Sequence, residues 1–369
     1  MVAILVLGVA RPAQSVAATD HAPILPLAEH SLLLDITRAG QRVIAAGERG
    51  HILYSDDHGA NWQQARVPTT QMLTGVYFID EQRGWAVGHD GLILVSDDGG
   101  LNWRVQRDGI AAQAQANLEL REQAHRRLKN LEQSLENAAE DQRAELEMRR
   151  EDVLMDLEDA DLALEEAVFT SPLMDVWFQG PDRGWAVGAF GTLLGTDNGG
   201  QAWVDLSAAI DNPDEFHLNT VTGDGDGRVF IAGEGGVMYR SLNGGRSWET
   251  LETFYEGSWF GALYSPPEDI LLVFGLRGNL YRSRDFGESW QMVDSDNQVT
   301  LAGGDVSRSG EIALVGGVGT LLRSSDGGLT FRRSMMADRL SLSSALYFDG
   351  QLILIGQGGI KVYTGGRNK

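Results

Sequence analysis

Residues 88–103, Gly88-His89-Asp90-Gly91-Leu92-Ile93-Leu94-Val95-Ser96-Asp97-Asp98-Gly99-Gly100-Leu101-Asn102-Trp103, join two signals. A Gly-x-x-Gly turn, able to adopt positive φ, opens onto a short apolar run. That run closes on Ser-x-Asp-x-Gly-x-x-Trp, whose short oxygen-bearing side chains can bond the backbone of their own turn. The second signal, the Asp-box, occurs six times, at residues 55–62, 96–103, 196–203, 241–248, 283–290 and 324–331. Its key positions are Ser55, Asp57 and Trp62; Ser96, Asp98 and Trp103; Thr196, Asn198 and Trp203; Ser241, Asn243 and Trp248; Ser283, Asp285 and Trp290; and Ser324, Asp326 and Phe331. Asn198 and Asn243 replace two of the carboxylates, as expected of structural turn residues rather than catalytic ones.

The Gly-x-x-Gly turn occurs seven times, beginning at Gly47, Gly88, Gly188, Gly233, Gly275, Gly316 and Gly356. Successive starts lie 41, 100, 45, 42, 41 and 40 residues apart. There are thus seven units and one insertion. Each unit reads as four short strands; in the second these are residues 73–78, 84–87, 92–96 and 103–106. Four-stranded units repeated at this period predict an all-β, seven-bladed β-propeller. The terminal Trp of each Asp-box is expected to cover the gap between blades. The seventh unit lacks an Asp-box and a fourth strand. Residues 22–27 are expected to supply that strand and close the ring.

The insertion, residues 110–168, contains no Gly, Pro or Trp. Ala124, Leu128, Leu131, Leu135 and Ala138 form one heptad seam, and Leu146, Val153, Leu157, Ala160, Leu164 and Ala167 another. An antiparallel coiled-coil hairpin between blades 2 and 3 is predicted, with its break near residues 137–142. Its 16 acidic and 7 basic residues favour a solvated, projecting arm over one packed on the propeller. Topology places it on the face of the Gly-x-x-Gly turns, with Glu48, Arg49, His89, Asp90, Phe190, Glu234 and Arg277. The Asp-boxes belong to the opposite face.

The expected domains are a signal peptide over 1–18, blades 1 and 2 with the closing strand over 19–108, the hairpin over 109–168, and blades 3–7 over 169–369. The signal peptide rests on an apolar run at residues 2–10 followed by small residues. It implies export, to the periplasm of a Gram-negative bacterium. The chain's formal charge of −22 argues against nucleic acid and anionic lipid as partners. No direct membrane insertion is expected. The absence of cysteine excludes disulfides and thiolate chemistry.

Arg83-Gly84-Trp85 and Arg183-Gly184-Trp185 each begin Arg-Gly-Trp-Ala-Val-Gly, preceded by an acidic turn. With the Asp-boxes downstream, the chain resembles the photosystem II stability and assembly factor family. The resemblance implies a propeller that binds a membrane complex from outside the cytoplasm, and surface arginines, here Arg83 and Arg183, that contribute to binding. Relatives in non-photosynthetic bacteria often stand beside RND-type transporters, which makes such a transporter the expected partner. The helical arm departs from the family pattern.

No enzymatic set is legible. A sialidase, the glycoside hydrolase with Asp-boxes, needs an arginine triad and a Tyr–Glu pair, and no Phe/Tyr-Arg-Ile-Pro segment is present. The histidines lack metal-ligand spacing. Asp224-Gly225-Asp226-Gly227 lacks the closing glutamate of a calcium loop and reads as a hairpin turn. No cofactor is expected. The predicted function is a non-catalytic binding or assembly factor, with a small-molecule or lipid-binding propeller and a glycoside hydrolase as alternatives. Candidate partner-binding residues on the arm-bearing face are Arg49, His89, Phe190, Phe254, Tyr255, Arg277, Met335 and Met336, because aromatic, Met and Arg side chains concentrate in interface cores. Trp259 is expected to fold inward.

Overall fold

The computed structural model describes residues 21–363; the expected signal peptide lies outside them. Seven antiparallel sheets follow one another along the chain. Blade 1 comprises Leu33–Ala39, Arg42–Gly47, Ile52–Ser55 and Gln63–Gln64. Blades 2 to 7 occupy residues 73–107, 173–205, 218–250, 259–292, 301–335 and 342–363. The first strands of successive blades lie side by side in a ring, and that of blade 7 touches both blade 6 and blade 1. The protein is a seven-bladed β-propeller with a helical hairpin between blades 2 and 3.

The second strands are continuous apolar runs because neighbouring blades cover both of their faces. Gly84–Gly88 and Gly184–Gly188 are buried throughout. The core therefore consists of a series of inter-blade layers. Trp85 of blade 2 stacks on Phe178 of blade 3, with ring centroids 3.5 Å apart. The Asp-box aromatics join these layers: Trp62 packs with blade 7, Trp248 with blade 3 and Phe331 with blade 5.

Each Asp-box is a closed network of turn bonds. In blade 1, Ser55 Oγ donates to Asp57 Oδ1 at 2.8 Å and accepts from Gly59 N at 2.8 Å, while Asp57 Oδ1 accepts from Asn61 N at 2.8 Å. Asn198 and Asn243 accept the equivalent bonds from Ala202 N and Ser247 N.

Closure differs from the expectation. Blade 7 has three strands, and residues 22–27 add none. They lie instead along blade 1: Ala22 N donates to Val67 O at 2.9 Å, Leu25 N to Gln64 Oε1 at 3.1 Å, and Gln64 Nε2 to Pro23 O at 2.8 Å. Pro23 and Pro26 lack the N–H groups that a strand would need. The short turn Ala28–His30 abuts the last strand of blade 7. The ring is closed by blade packing, with Leu33, Ile36 and Val43 against Leu346, Phe348 and Ile353. Ser343 Oγ adds a bond to Leu33 O at 2.6 Å.

The hairpin comprises α1, Gly109–Glu136, and α2, Glu140–Glu165. Asp108 caps α1 by accepting from Ala111 N. Ala124, Val153 and Ala160 are buried in the seam, and the other seam residues are half-buried except Ala167. Ala167 does not join because α2 ends at Glu165 and the backbone at Glu166 is extended, turning the chain toward blade 3. Arg121–Asp161 at 2.5 Å and Arg127–Asp156 at 3.1 Å bridge the two helices. Twenty-eight residues span about 42 Å, and the hairpin meets the propeller at the start of α1, beside His89–Gly91.

Candidate functional site

In blades 1 to 6 the third residue of the Gly-x-x-Gly turn, like the glycine after it, lies in the left-handed region. These are Arg49 (φ 55°), Asp90 (58°), Phe190 (53°), Arg277 (58°) and Val318 (56°), with Gly235 (63°) in blade 4. A side chain here costs roughly 1–2 kcal/mol, which the Gly235 solution avoids. Glycine is required at the last position, where the backbone passes close to its neighbour: a Cβ on Gly236 would lie 1.7 Å from Tyr255 O. The turns therefore display side chains at an energetic cost, a feature concentrated at functional sites.

The arm stands among these turns. Arg107 NH1 donates to Gly91 O at 2.5 Å, and a Cβ on Gly109 would lie 2.1 Å from Asp90 O. Where the chain returns from the arm, Phe169 meets Phe190 edge-on at 6.0 Å, and Phe190 meets His217 at 5.0 Å. Phe169 and Phe190 are 67% and 50% exposed. This apolar cluster at the foot of the arm includes Phe169, which the sequence reading did not single out. Its signal was a large aromatic just after the last heptad, beside Pro172.

The other candidates divide. Arg49, His89 and Arg277 are exposed at turn tips, and Met335 is exposed on the last strand of blade 6. Tyr255 is half-buried, with its ring 4.8 Å from that of Trp259 and its hydroxyl donating to Leu276 O. Met336 packs against the layer between blades 6 and 7. Phe254 turns toward Tyr281 and Trp290, at 4.6 and 6.0 Å. Tyr255 and Met336 therefore serve packing between blades, Tyr255 over the fully buried Trp259, whereas Phe254 keeps 39% of its surface exposed beside them.

Arg83 and Arg183 extend to the Asp-box of the next blade. Arg83 NH2 donates to Gly199 O at 3.0 Å, and its Nε lies 3.6 Å from Asp97. Asp80, in the acidic turn before the motif, accepts from the Arg83 backbone N. Arg183 lines a pocket with Trp185, Val204, Leu206 and Arg246. Asp224 Oδ1 accepts from Asp226 N and Arg228 N, and Arg228 pairs with its carboxylate at 2.5 Å, so this segment is a turn. Among the described residues no three His or carboxylate side chains form a group able to hold a metal ion.

The inner strands line the central channel, where Asp35, Asp175 and Asp305 are recessed. Each fastens its blade to the next. Asp35 Oδ2 accepts from Val76 N at 2.9 Å, Asp175 Oδ2 from Val221 N at 2.9 Å, and Asp305 Oδ2 from Tyr347 N at 2.7 Å. Burial raises Asp35 to about 6, Asp175 to about 7 and Asp305 to about 6. The Asp35 charge adds to the effect at Asp175. The sequence signal was an acid inside an apolar first strand, in Leu33-Leu34-Asp35-Ile36 and Leu173-Met174-Asp175-Val176.

Residues 54–125 and 159–291, more than half of the chain, match the family model for "Photosynthesis system II assembly factor YCF48". The unmatched interval falls in the arm. The photosystem II assembly lipoprotein Ycf48 of Synechococcus sp. (strain CC9902) is 37% identical over 79 residues, which is 21% of this chain and 23% of that one. The chloroplastic photosystem II stability/assembly factor HCF136 of Oryza sativa subsp. japonica is 40% identical over 68 residues, 18% of this chain and 16% of that one. The matches thus span less than a quarter of these relatives' length. A solved structure of YCF48 bound to a D1 peptide aligns with TM-score 0.61 and 16% identity, over 93% of this chain and 95% of that one. YCF48 from Cyanidioschyzon merolae aligns with TM-score 0.58 and 17% identity, over 94% and 98%. Together the repeats, the Arg-Gly-Trp motifs and the model match make this chain a member of the YCF48 photosystem II assembly factor family.

Proposed function

We propose that this protein is a non-catalytic assembly or accessory factor that grips a protein subunit of a membrane complex with its turn-bearing face and helical arm. The carrying observation is the set of side chains held in left-handed turns on the arm-bearing face, with the Phe169–Phe190 pair at the foot of the arm. Rigid turns displaying Arg, His and Phe suit recognition of a polypeptide. The solved relative bound to a D1 peptide supports the same mode of action. An exported protein acting beside an RND-type transporter, in the periplasm of a Gram-negative bacterium, is the specific form of this reading. No helix of the described residues is long and apolar enough to cross a membrane, so the membrane component is assigned to the partner.

The test is affinity recovery from native envelopes in mild detergent. The full chain is compared with a variant lacking residues 110–168 and with Phe190→Ser/Arg277→Ser. A membrane protein recovered by the full chain and lost from both variants is expected. Equal recovery by all three would place the contact elsewhere.

A further inference from the structure

The second helix of the arm carries apolar side chains on two opposite faces. One is the seam of Leu146, Val153, Leu157, Ala160 and Leu164. The other is Met148, Met155 and Leu162, each two residues beyond a seam position and thus about 200° around the helix. These three are 60%, 60% and 51% exposed. They repeat at the heptad interval, so they form one straight strip about 21 Å long.

The flanks of the strip repeat as well. Three and four residues after Met148 stand Glu151 and Asp152; after Met155, Glu158 and Asp159; after Leu162, Glu165 and Glu166. Such positions are surface neighbours on a helix, so each apolar residue lies between two acidic rows. Residues 151–166 hold eight acids and no Lys or Arg. The nearby arginines are committed elsewhere: Arg127 to Asp156, Arg121 to Asp161, Arg149 to Glu145 and Arg150 to Glu132. Among the described residues none of the six flanking acids has an ion-pair partner. The hairpin gains nothing from these apolar side chains, since its own seam lies on the other face.

We infer that the outer face of α2 is a docking strip for a basic amphipathic helix, one with an apolar stripe bordered by Lys or Arg. Charge selects this occupant. A second copy of the strip would oppose acid to acid, and an anionic lipid surface would be repelled. Flexible Met side chains at two of the three positions suit packing against a helix, and carboxylate rows on both sides fix its register. The inference rests on the assembly-factor reading only in supposing that the partner is a protein.

The probe is a designed peptide of three heptads, helix-forming, with leucine along one stripe and Lys/Arg beside it. A control peptide has the same composition in scrambled order. Binding to the full chain is read by fluorescence anisotropy at low and high salt. The ordered peptide should bind roughly tenfold more tightly than the scrambled one, and weaken with salt. Met148→Gln/Met155→Gln/Leu162→Gln, with helix content checked by circular dichroism, should remove that preference. Glu151→Gln/Asp152→Asn/Glu158→Gln/Asp159→Asn should remove the salt dependence. Equal binding of the two peptides, or an unchanged preference in the triple variant, overturns the strip. Envelope recovery separates the two readings. Recovery that needs residues 110–168 but survives the triple variant leaves the assembly-factor reading standing and overturns the strip. Recovery unaffected by either change overturns both uses of the arm.

Discussion

Asp175→Asn should stabilise the propeller at pH 8 and reduce its loss of stability above pH 5. An unfolded aspartate gives up its proton near 3.8, whereas Asp175 in the channel does so at about 7. Below 3.8 both states hold the proton and the site costs nothing. Between the two values the unfolded chain is increasingly favoured, and above 7 the loss is complete. A rise from 3.8 to about 7 corresponds to roughly 4 kcal/mol. The carboxylate retains some exposure to the lumen, and the asparagine amide gives up the bond that Oδ1 accepts from Val176 N, so screening and this loss reduce the effect to about 2 kcal/mol. Asparagine keeps an oxygen for Val221 N and Thr220 Oγ1, the bonds that join blades 3 and 4. For a chain of this size about 2 kcal/mol is a melting shift of roughly 3 °C. Calorimetry of parent and variant from pH 4 to 8 would measure it. A variant that melts lower at pH 8, or retains the full pH slope, would refute the assignment of that slope to a buried charge.

On the acid side the sign reverses. Side-chain bonds from Asn61 and Thr330 lower Asp57 and Asp326 to about 2, so their contribution is present above 3.8 and is lost as pH falls through about 2. Asp57→Asn/Asp326→Asn should therefore unfold less steeply between pH 4 and 2, followed by tryptophan fluorescence; an unchanged acid limb would count against this. Val318→Gly should stabilise the protein by about 1 kcal/mol, because a β-branched residue at φ 56° is strained; chemical denaturation would show a higher midpoint, and a lower one would mean that Val318 makes a contact worth more than the strain. Removal of residues 23–27 should lower the melting temperature only slightly, since Ile24 and Leu27 are mostly exposed and Pro23 and Leu25 bond Gln64 of blade 1; a collapse of the fold would restore the segment as the closing element.

Much of the architecture was written locally. Turn glycines, apolar runs of four to six residues and Ser-x-Asp turns all act through hydrogen bonds within one blade, and such signals repeat along the chain without reference to the ring. The two heptad seams were legible for the same reason, because helix neighbours three and four residues apart are fixed by the helix itself. The Asp-boxes likewise satisfy their own backbone groups. Asn198 and Asn243 already indicated that a full charge is dispensable there.

What remained illegible depends on residues far apart in sequence. Residues 22–27 read as a missing strand because the unit count called for one; their prolines and their bonds to Gln64 and Val67 place them on blade 1. Tyr255 and Met336 read as surface candidates by residue type, yet the need to cover Trp259 and the layer between blades 6 and 7 draws them into packing. The Phe169–Phe190 pair exists only because the arm returns beside the turn of blade 3. Asp35, Asp175 and Asp305 gain their role only when the ring brings each against the backbone of the next blade. Sequence alone determined the blade count, the strand order within each blade and the insertion of a helical arm, since these follow from local periodicity. The tertiary structure alone decided how the ring closes, which aromatics face solvent and where buried charge resides, because each depends on free energies shared between blades, from residues 41 apart in sequence to residues 310 apart.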